Sequence, residues 1–155
     1  MEYFEKDKQF NFDEWETFES DDFSIDFPKD FMTIKNLEKN EIIIYHGALP
    51  PQLYMILSPL YVKINKEQLR ENITRKEAIE IIKNSLKSKG FDFEDIEINQ
   101  LNFLISSFDN PFTNGKIKNI YVFGDNHIYT LFIGAKFVND IDEVIKKVYS
   151  SFKMK

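Results

Sequence analysis

The chain has 155 residues, of which 43% are hydrophobic and 30% are charged, and its formal net charge is −6. This length and composition are typical of one globular domain built on a single core. The sequence contains no cysteine, which excludes a disulfide framework, a thiolate zinc site and a catalytic thiol.

The charge is distributed unevenly along the chain. Residues 1–31 carry 11 acidic and 3 basic side chains, whereas the remainder is close to neutral. Binding to nucleic acid without sequence preference, or to an anionic membrane, needs clustered lysine and arginine. We therefore expect neither nucleic acid nor an anionic membrane surface as a partner.

The first residues lack the basic start and apolar core of a signal peptide. No apolar run approaches the roughly 18 residues that a transmembrane helix needs. These observations favour a cytoplasmic location without a membrane span. A signal peptide or lipoprotein anchor that has been removed is the alternative that the sequence leaves open.

Residues 1–22 form an acidic leader rich in aromatic side chains. Phe12, Trp15 and Phe18 are spaced as on one face of a helix, which predicts a short helix. The alternation of Phe10 and Phe12 is also typical of an extended segment, so that alternative stays open. The aromatic side chains either hold the leader against the body or bind a partner protein.

The body, residues 23–155, begins with patterns typical of strands. The first alternates cleanly from Phe23 to Phe27 and ends at a proline. The predicted strands in this half of the chain span residues 23–27, 31–37, 41–45, 53–57 and 60–64. The runs 41–45 and 53–57 are continuously apolar, as expected of strands covered on both faces.

Two helices are predicted, near residues 74–89 and 140–153. Thr74 and Glu77 have the spacing of a capping box, and Gly90 is placed to end that helix in a left-handed conformation. In the second helix, apolar residues recur at helical spacing after an aspartate or asparagine cap.

The clearest element is a hairpin over residues 116–135. Two β-rich runs flank the turn Gly124–Asn126, and their apolar faces place the hairpin inside a sheet. Further strands are expected at residues 96–98 and 101–108. This element order predicts an α+β fold, an antiparallel sheet with helices packed on both faces.

Three segments carry a resemblance to a known family. They are Trp15-Glu-Thr-Phe18, then Phe23-Ser-Ile-Asp-Phe-Pro28 with Phe31, and the ending Tyr129-Thr-Leu-Phe132 with Ile145 to Phe152. Together with the element order, they make the chain resemble the PsbP-like superfamily. One departure is Lys29-Asp30-Phe31, where relatives usually have Gly-Trp after the proline.

The resemblance implies an α/β/α sandwich. The superfamily includes photosystem extrinsic subunits, Ran-binding factors, DcrB-like lipoproteins and chaperones for type VI secretion effectors, and its members mostly act by binding other proteins. They share no catalytic constellation, so the resemblance assigns no functional residue to this chain.

Motifs for catalysis or cofactor binding are absent from the sequence. The five glycines are too scattered for a phosphate-binding loop, and the acidic stretch 92–97 lacks the spacing of a calcium loop. His46 and His127 are the side chains that ordinarily titrate near neutral pH, and each lies at a strand–turn junction. They could share a pocket only if both turns lie at one edge. We expect no cofactor and no metal.

These observations predict a protein-binding module without enzymatic activity: an adaptor, a secretion chaperone or a toxin-neutralising immunity protein. The alternative is a small-ligand-binding protein or enzyme with an aromatic pocket near one of the histidines. Leu49 is included among the contact candidates because it lies in the proline-containing loop 46–51. The candidate partner-binding residues are Phe12, Trp15, Phe18, Tyr45, His46, Leu49 and His127.

Overall fold

The computed structural model describes residues 10–47, 51–109 and 115–155. Within these ranges the chain forms two antiparallel sheets and three α-helices, which confirms the α+β class. The helices are α1 (Tyr54–Leu57, preceded by a 3₁₀ turn at Pro51–Leu53), α2 (Arg75–Ser88) and α3 (Ile141–Ser150).

The larger sheet has seven strands. In spatial order they are β3 (Phe31–Asn36), β4 (Glu41–His46), β5 (Leu60–Gln68), β9 (His127–Ala135), β8 (Lys116–Phe123), β7 (Leu101–Asp109) and β6 (Glu94–Ile98). The smaller sheet consists of β1 (Trp15–Glu19), β2 (Phe23–Pro28) and β10 (Lys153–Met154), in that order.

The predicted hairpin 116–135 forms the middle of the larger sheet. It consists of β8 and β9, paired from Lys116 opposite Ala135 to Phe123 opposite Ile128. β9 is the fourth of the seven strands. The prediction that the hairpin lies inside a sheet is confirmed.

Alternate residues of the larger sheet face different layers. Phe103 and Ile105 belong to the main core, which includes Val148 of α3 and Phe27 of the smaller sheet. Leu104 lies between them in sequence and packs instead with Ala78 of α2 and with Phe123. This two-residue period places α3 and the smaller sheet on one face and α2 on the other.

α2 has both of the predicted end signals. Thr74 Oγ1 accepts a hydrogen bond from the amide of Glu77 at 3.1 Å. At the other end, Gly90 has a φ of +76°, its amide donates to Lys87, and the amide of Phe91 donates to Leu86. These two bonds are the Schellman arrangement, and only glycine adopts this φ without a steric cost.

α3 ends earlier than predicted. The helix stops at Ser150, and Lys153 and Met154 pair with Ser24 and Phe23 of β2. The paired residues lie about 130 positions apart in the sequence. Their pairing provides hydrogen-bond partners for backbone groups at the edge of β2, and it favours an extended conformation over further helix for residues 153–154.

The predicted short helix through Phe12, Trp15 and Phe18 is wrong. Residues 15–19 form β1, which pairs with β2 from Trp15 opposite Pro28 to Glu19 opposite Ser24. A strand partner close in sequence supplies hydrogen bonds to this segment, so extended structure prevails over the helical spacing.

The predicted strand at residues 53–57 is also wrong. β4 and β5 are direct neighbours, with Tyr45 opposite Tyr61, so the residues between them must form a connection. The apolar run lies inside that connection as the 3₁₀ turn and α1. Ser58 closes the connection, because its Oγ lies 2.7 Å from the carbonyl oxygens of His46 and Leu60.

Among the described residues, no helix is both long and apolar enough to cross a membrane.

Candidate functional site

The predicted contact residues do not form one surface. Tyr45 and His46 are neighbours in β4, and therefore their side chains lie on opposite faces of the sheet. Tyr45 is buried against Tyr54 and Tyr61 on the α1 side, whereas His46 faces the leader. Leu49 lies outside the described residues.

His46 packs against the leader through its imidazole ring. The ring centroid lies 4.8 Å from that of Phe12 and 6.2 Å from that of Phe10, both in edge-on orientation. Its Nδ1 is buried and has no hydrogen-bond partner among the described residues. Burial lowers the pKa of His46 from its ordinary value, and the carboxylate of Asp30 partly offsets this effect.

His127 lies at the other end of the sheet. It pairs with Gln68 at one end of the β5–β9 ladder, while Leu60 pairs with Ala135 at the other end. His46 is level with Leu60, since its neighbour Tyr45 pairs with Tyr61. The two histidines are thus separated by about 27 Å of strand, and they cannot act together in one pocket.

Trp15 and Phe18 pack the leader against the body of the protein. Trp15 Nε1 donates to the carbonyl of Phe12 at 3.2 Å, and Lys147 Nζ of α3 lies 4.3 Å from the centroid of its indole. Phe18 is buried against Phe23 and Phe31. Phe18 is therefore a core residue, and Trp15 is half-buried under a lysine of α3.

An exposed apolar surface lies at α1, where the sequence predicted a buried strand. Tyr54 packs on Tyr45 and Tyr61, with ring centroids 5.8 and 5.3 Å apart, and no residue of α1 is buried. The exposed fractions at the surface are 37% for Leu53, 49% for Met55, 61% for Ile56 and 36% for Leu57. Two signals could have indicated this: prolines bound the segment, and no charged residue lies between Glu41 and Lys63.

The edge strand β3 extends this apolar surface. Met32 is opposite Tyr45, so the two side chains lie on the same face of the sheet, and Met32 is 48% exposed. Among the described residues, β3 has a strand partner on one side only, β4. We refer to the exposed side chains of α1 and β3, with the free edge of β3, as the α1–β3 surface.

The opposite edge of the sheet has a different character. β6 carries carboxylates that discourage pairing with another strand. They are Glu94, Asp95 and Glu97. On β3, the charged side chain is that of Lys35, which makes no ion pair with any described residue and lies 6.0 Å from the Phe18 ring centroid.

A cleft of about 500 Å³ opens between the turn of β1–β2 and the turn of β3–β4. Neither histidine lines it. Its floor is formed by apolar side chains from both sheets, and charged side chains surround its mouth. The floor residues are Phe23, Ile42, Ile64 and Tyr129.

The described residues contain no group of three or more histidine, aspartate and glutamate side chains placed to hold a metal ion.

No protein-family model matches this sequence, and the search of curated proteins found no match. Solved structures do resemble the fold. A protein from Bacteroides thetaiotaomicron VPI-5482 aligns with a TM-score of 0.58 and 12% identity over 86% of this chain, which spans only 45% of that protein's length. The likeness shows a shared fold.

LpqN of Mycobacterium tuberculosis, described as involved in cell envelope biogenesis, aligns with a TM-score of 0.55 and 11% identity. The alignment covers 86% of this chain and 83% of LpqN. At such identities the comparison again establishes the fold alone. Neither description names the PsbP-like superfamily, so membership of that superfamily remains a prediction.

Proposed function

We propose that this chain is a non-enzymatic protein-binding module that receives an extended segment of a partner protein on the α1–β3 surface. The observation that carries the proposal is the exposure of the apolar side chains of α1. Met55 and Ile56 are adjacent in sequence, and their exposed fractions are 49% and 61%. Exposed apolar side chains that cluster in this way are typical of interaction sites.

The free edge of β3 favours a polypeptide over a lipid as the occupant. An edge strand presents backbone amides and carbonyls at strand spacing, and a second extended chain satisfies them by adding a strand to the sheet. An acyl chain could cover α1, but it would leave those backbone groups without hydrogen bonds.

The side chains of β3 indicate the chemistry of the segment. On the α1 side of the sheet, the segment would lie beside Met32 and Ile34, which suits apolar side chains. On the opposite side it would lie beside Thr33 and Lys35. Because Lys35 makes no ion pair with a described residue, a carboxylate of the partner suits that position.

Several biological roles use such a surface, among them those of an adaptor, a secretion chaperone and an immunity protein. The resemblance to the PsbP-like superfamily supports this class of function. The fold shared with LpqN supports a second part of the proposal, that the chain works in the cell envelope. The α1–β3 surface can bind a partner protein in the cell envelope or in the cytoplasm.

Site-specific photo-crosslinking in the source organism tests the proposal. A photoreactive amino acid is placed at Ile56 in one variant and at Met32 in another, and the cross-linked partner segment is identified by mass spectrometry. The same segment is expected from both positions. A matched control carries the photoreactive residue at Ile81 of α2, which is 55% exposed and lies outside the surface.

A synthetic peptide of the identified segment is then titrated against purified protein. Ile56→Glu should weaken binding by roughly tenfold or more, since burial of an isoleucine side chain contributes about 1.5–3 kcal/mol. Ile81→Glu should leave the affinity unchanged. Equal cross-linking from Ile56 and Ile81, or peptide binding that is unaffected by Ile56→Glu, would disprove the proposal.

A further inference from the structure

The cleft between the β1–β2 and β3–β4 turns has an apolar floor that is part of the core. Phe23, Ile64 and Tyr129 are each at most 4% exposed, and the Phe23 and Tyr129 rings lie 5.6 Å apart, edge to face. A floor that is part of the core is preformed. The cleft has a volume of about 500 Å³, which lies within the usual range of small-molecule sites.

The two walls of the cleft differ in charge. The β1–β2 turn contributes the carboxylates of Glu19, Asp21 and Asp22. Asp22 forms an ion pair with Lys66 at 3.0 Å, and Glu19 forms one with Lys155 at 3.6 Å. Asp21 makes no ion pair with a described residue. This wall therefore retains negative charge.

The facing wall retains positive charge. It contains Lys35 and Glu41 from the β3–β4 hairpin, but Glu41 is engaged elsewhere: it lies 3.9 Å from Lys63 and accepts a hydrogen bond from Asn65 at 3.3 Å. Lys35 is left without a carboxylate partner among the described residues.

Tyr129 adds a neutral donor group to the floor. Burial, and to a lesser extent the carboxylate of Asp22, raise the pKa of Tyr129 to about 12. Its phenol is thus protonated at neutral pH and can donate a hydrogen bond to a polar atom of a bound molecule.

We propose that the cleft binds a small zwitterion with an apolar side chain, of the chemical class of short peptides. The ammonium group lies toward the acidic turn at Asp21, the carboxylate toward Lys35, and the side chain on the floor at Phe23 and Ile64. A purely anionic amphiphile would be repelled by the acidic wall, and a purely cationic one by Lys35. This site shares Lys35 with the α1–β3 surface, but Lys35 lies on the opposite face of β3 from Met32, and the cleft uses none of the apolar side chains of that surface.

Nuclear magnetic resonance titration with three related peptides tests the assignment. The probes are the dipeptide Leu-Phe, its N-acetyl derivative, which lacks the ammonium, and its C-terminal amide, which lacks the carboxylate. Leu-Phe should shift the amide signals of Phe23 and Tyr129. Each derivative should bind about three- to fivefold more weakly, as expected for the loss of one solvent-exposed ion pair.

Lys35→Gln separates the charge interaction from general binding. It should weaken binding of Leu-Phe about three- to fivefold but should not weaken binding of the amide, because the amide has no carboxylate for Lys35 to contact and is relieved of repulsion between Lys35 and its ammonium group. Lys39→Gln is the control, since Lys39 lies in the same hairpin but does not line the cleft.

Three results would overturn the proposal: no shift of the cleft signals at millimolar Leu-Phe, equal affinity for all three probes, or an equal effect of Lys35→Gln on Leu-Phe and on its amide. Both substituted lysines are exposed, so their variants should fold, and the amide spectrum of each variant verifies this before titration.

Discussion

The ring of Tyr61 lies directly over the backbone of Gly134. The two residues are paired in the β5–β9 ladder, and a Cβ added at Gly134 would overlap with the Cζ, Oη and Cε1 atoms of that ring. The glycine is therefore required by a close approach of a side chain to the sheet, not by an unusual backbone conformation.

We expect Gly134→Ala to lower the free energy of unfolding by about 1–3 kcal/mol, because the added methyl group overpacks the site. In a Tyr61→Leu background the same substitution should cost less, which a double-mutant cycle in urea measures. Gly90→Ala is the control: its site has open space but a positive φ, so its cost should not depend on residue 61. Equal costs of Gly134→Ala in both backgrounds would refute this interpretation.

Stability should fall as the pH is lowered through the range in which His46 titrates. The pKa of His46 is lower in the folded state than its ordinary value of 6.5. As the pH falls, the unfolded chain therefore binds the proton first, and this binding stabilises the unfolded state relative to the folded state. The loss begins near the unfolded pKa and is complete below the folded one.

Urea unfolding at a series of pH values, compared between the wild type and His46→Leu, measures this contribution. Carboxylates other than Asp30 affect both proteins alike, so the difference between the two curves isolates the imidazole together with its interaction with Asp30. The difference should change in favour of His46→Leu as the pH falls below about 6.5. A constant difference across the series would argue against a lowered pKa of His46 in the folded state.

Trp15 is the one tryptophan of the chain, and its fluorescence therefore reports the docking of the leader on α3. Lys147→Gln removes the cation that lies 4.3 Å from the indole centroid and should lower the free energy of unfolding by about 0.5–1 kcal/mol. We also expect emission at longer wavelength as the ring gains contact with water. Lys146→Gln, one residue earlier and exposed, should change neither property.

The cap of α2 should contribute about 1 kcal/mol to stability. Thr74→Ala removes the oxygen that accepts from the Glu77 amide, whereas Thr74→Ser keeps it and should retain most of the stability. Thermal unfolding followed by circular dichroism compares the three proteins. Similar losses for both variants would show that the methyl group of Thr74, not its hydroxyl, matters.

Substitutions at Ile56 and Ile44 test the position of α1. Ile56→Glu should change the free energy of unfolding by less than about 0.5 kcal/mol, because the side chain is 61% exposed. Ile44→Ala, at a fully buried position of β4, should cost about 2–5 kcal/mol. A large loss for Ile56→Glu would mean that residues 53–57 are buried, as a strand there would be.

Much of the candidate site could not be predicted from the sequence. The run at residues 53–57 has the composition of a covered strand, and composition alone does not show whether a short apolar run is buried or exposed. Tyr45 and His46 were predicted together because they are adjacent in sequence, but strand geometry separates their side chains. The cleft is formed by segments far apart in the chain, from Glu19 to Lys155.

What the sequence by itself determined is the local structure: the two β-rich runs of the hairpin 116–135, its turn at Gly124, and the start and end of α2. These depend on interactions between residues close in the chain, which leave a local pattern in the sequence. The tertiary structure alone decided that residues 15–19 form a strand, that α3 ends before β10, and that α1 is exposed. Each of these depends on which distant segment supplies hydrogen bonds or covers an apolar side chain, and no local pattern records that choice.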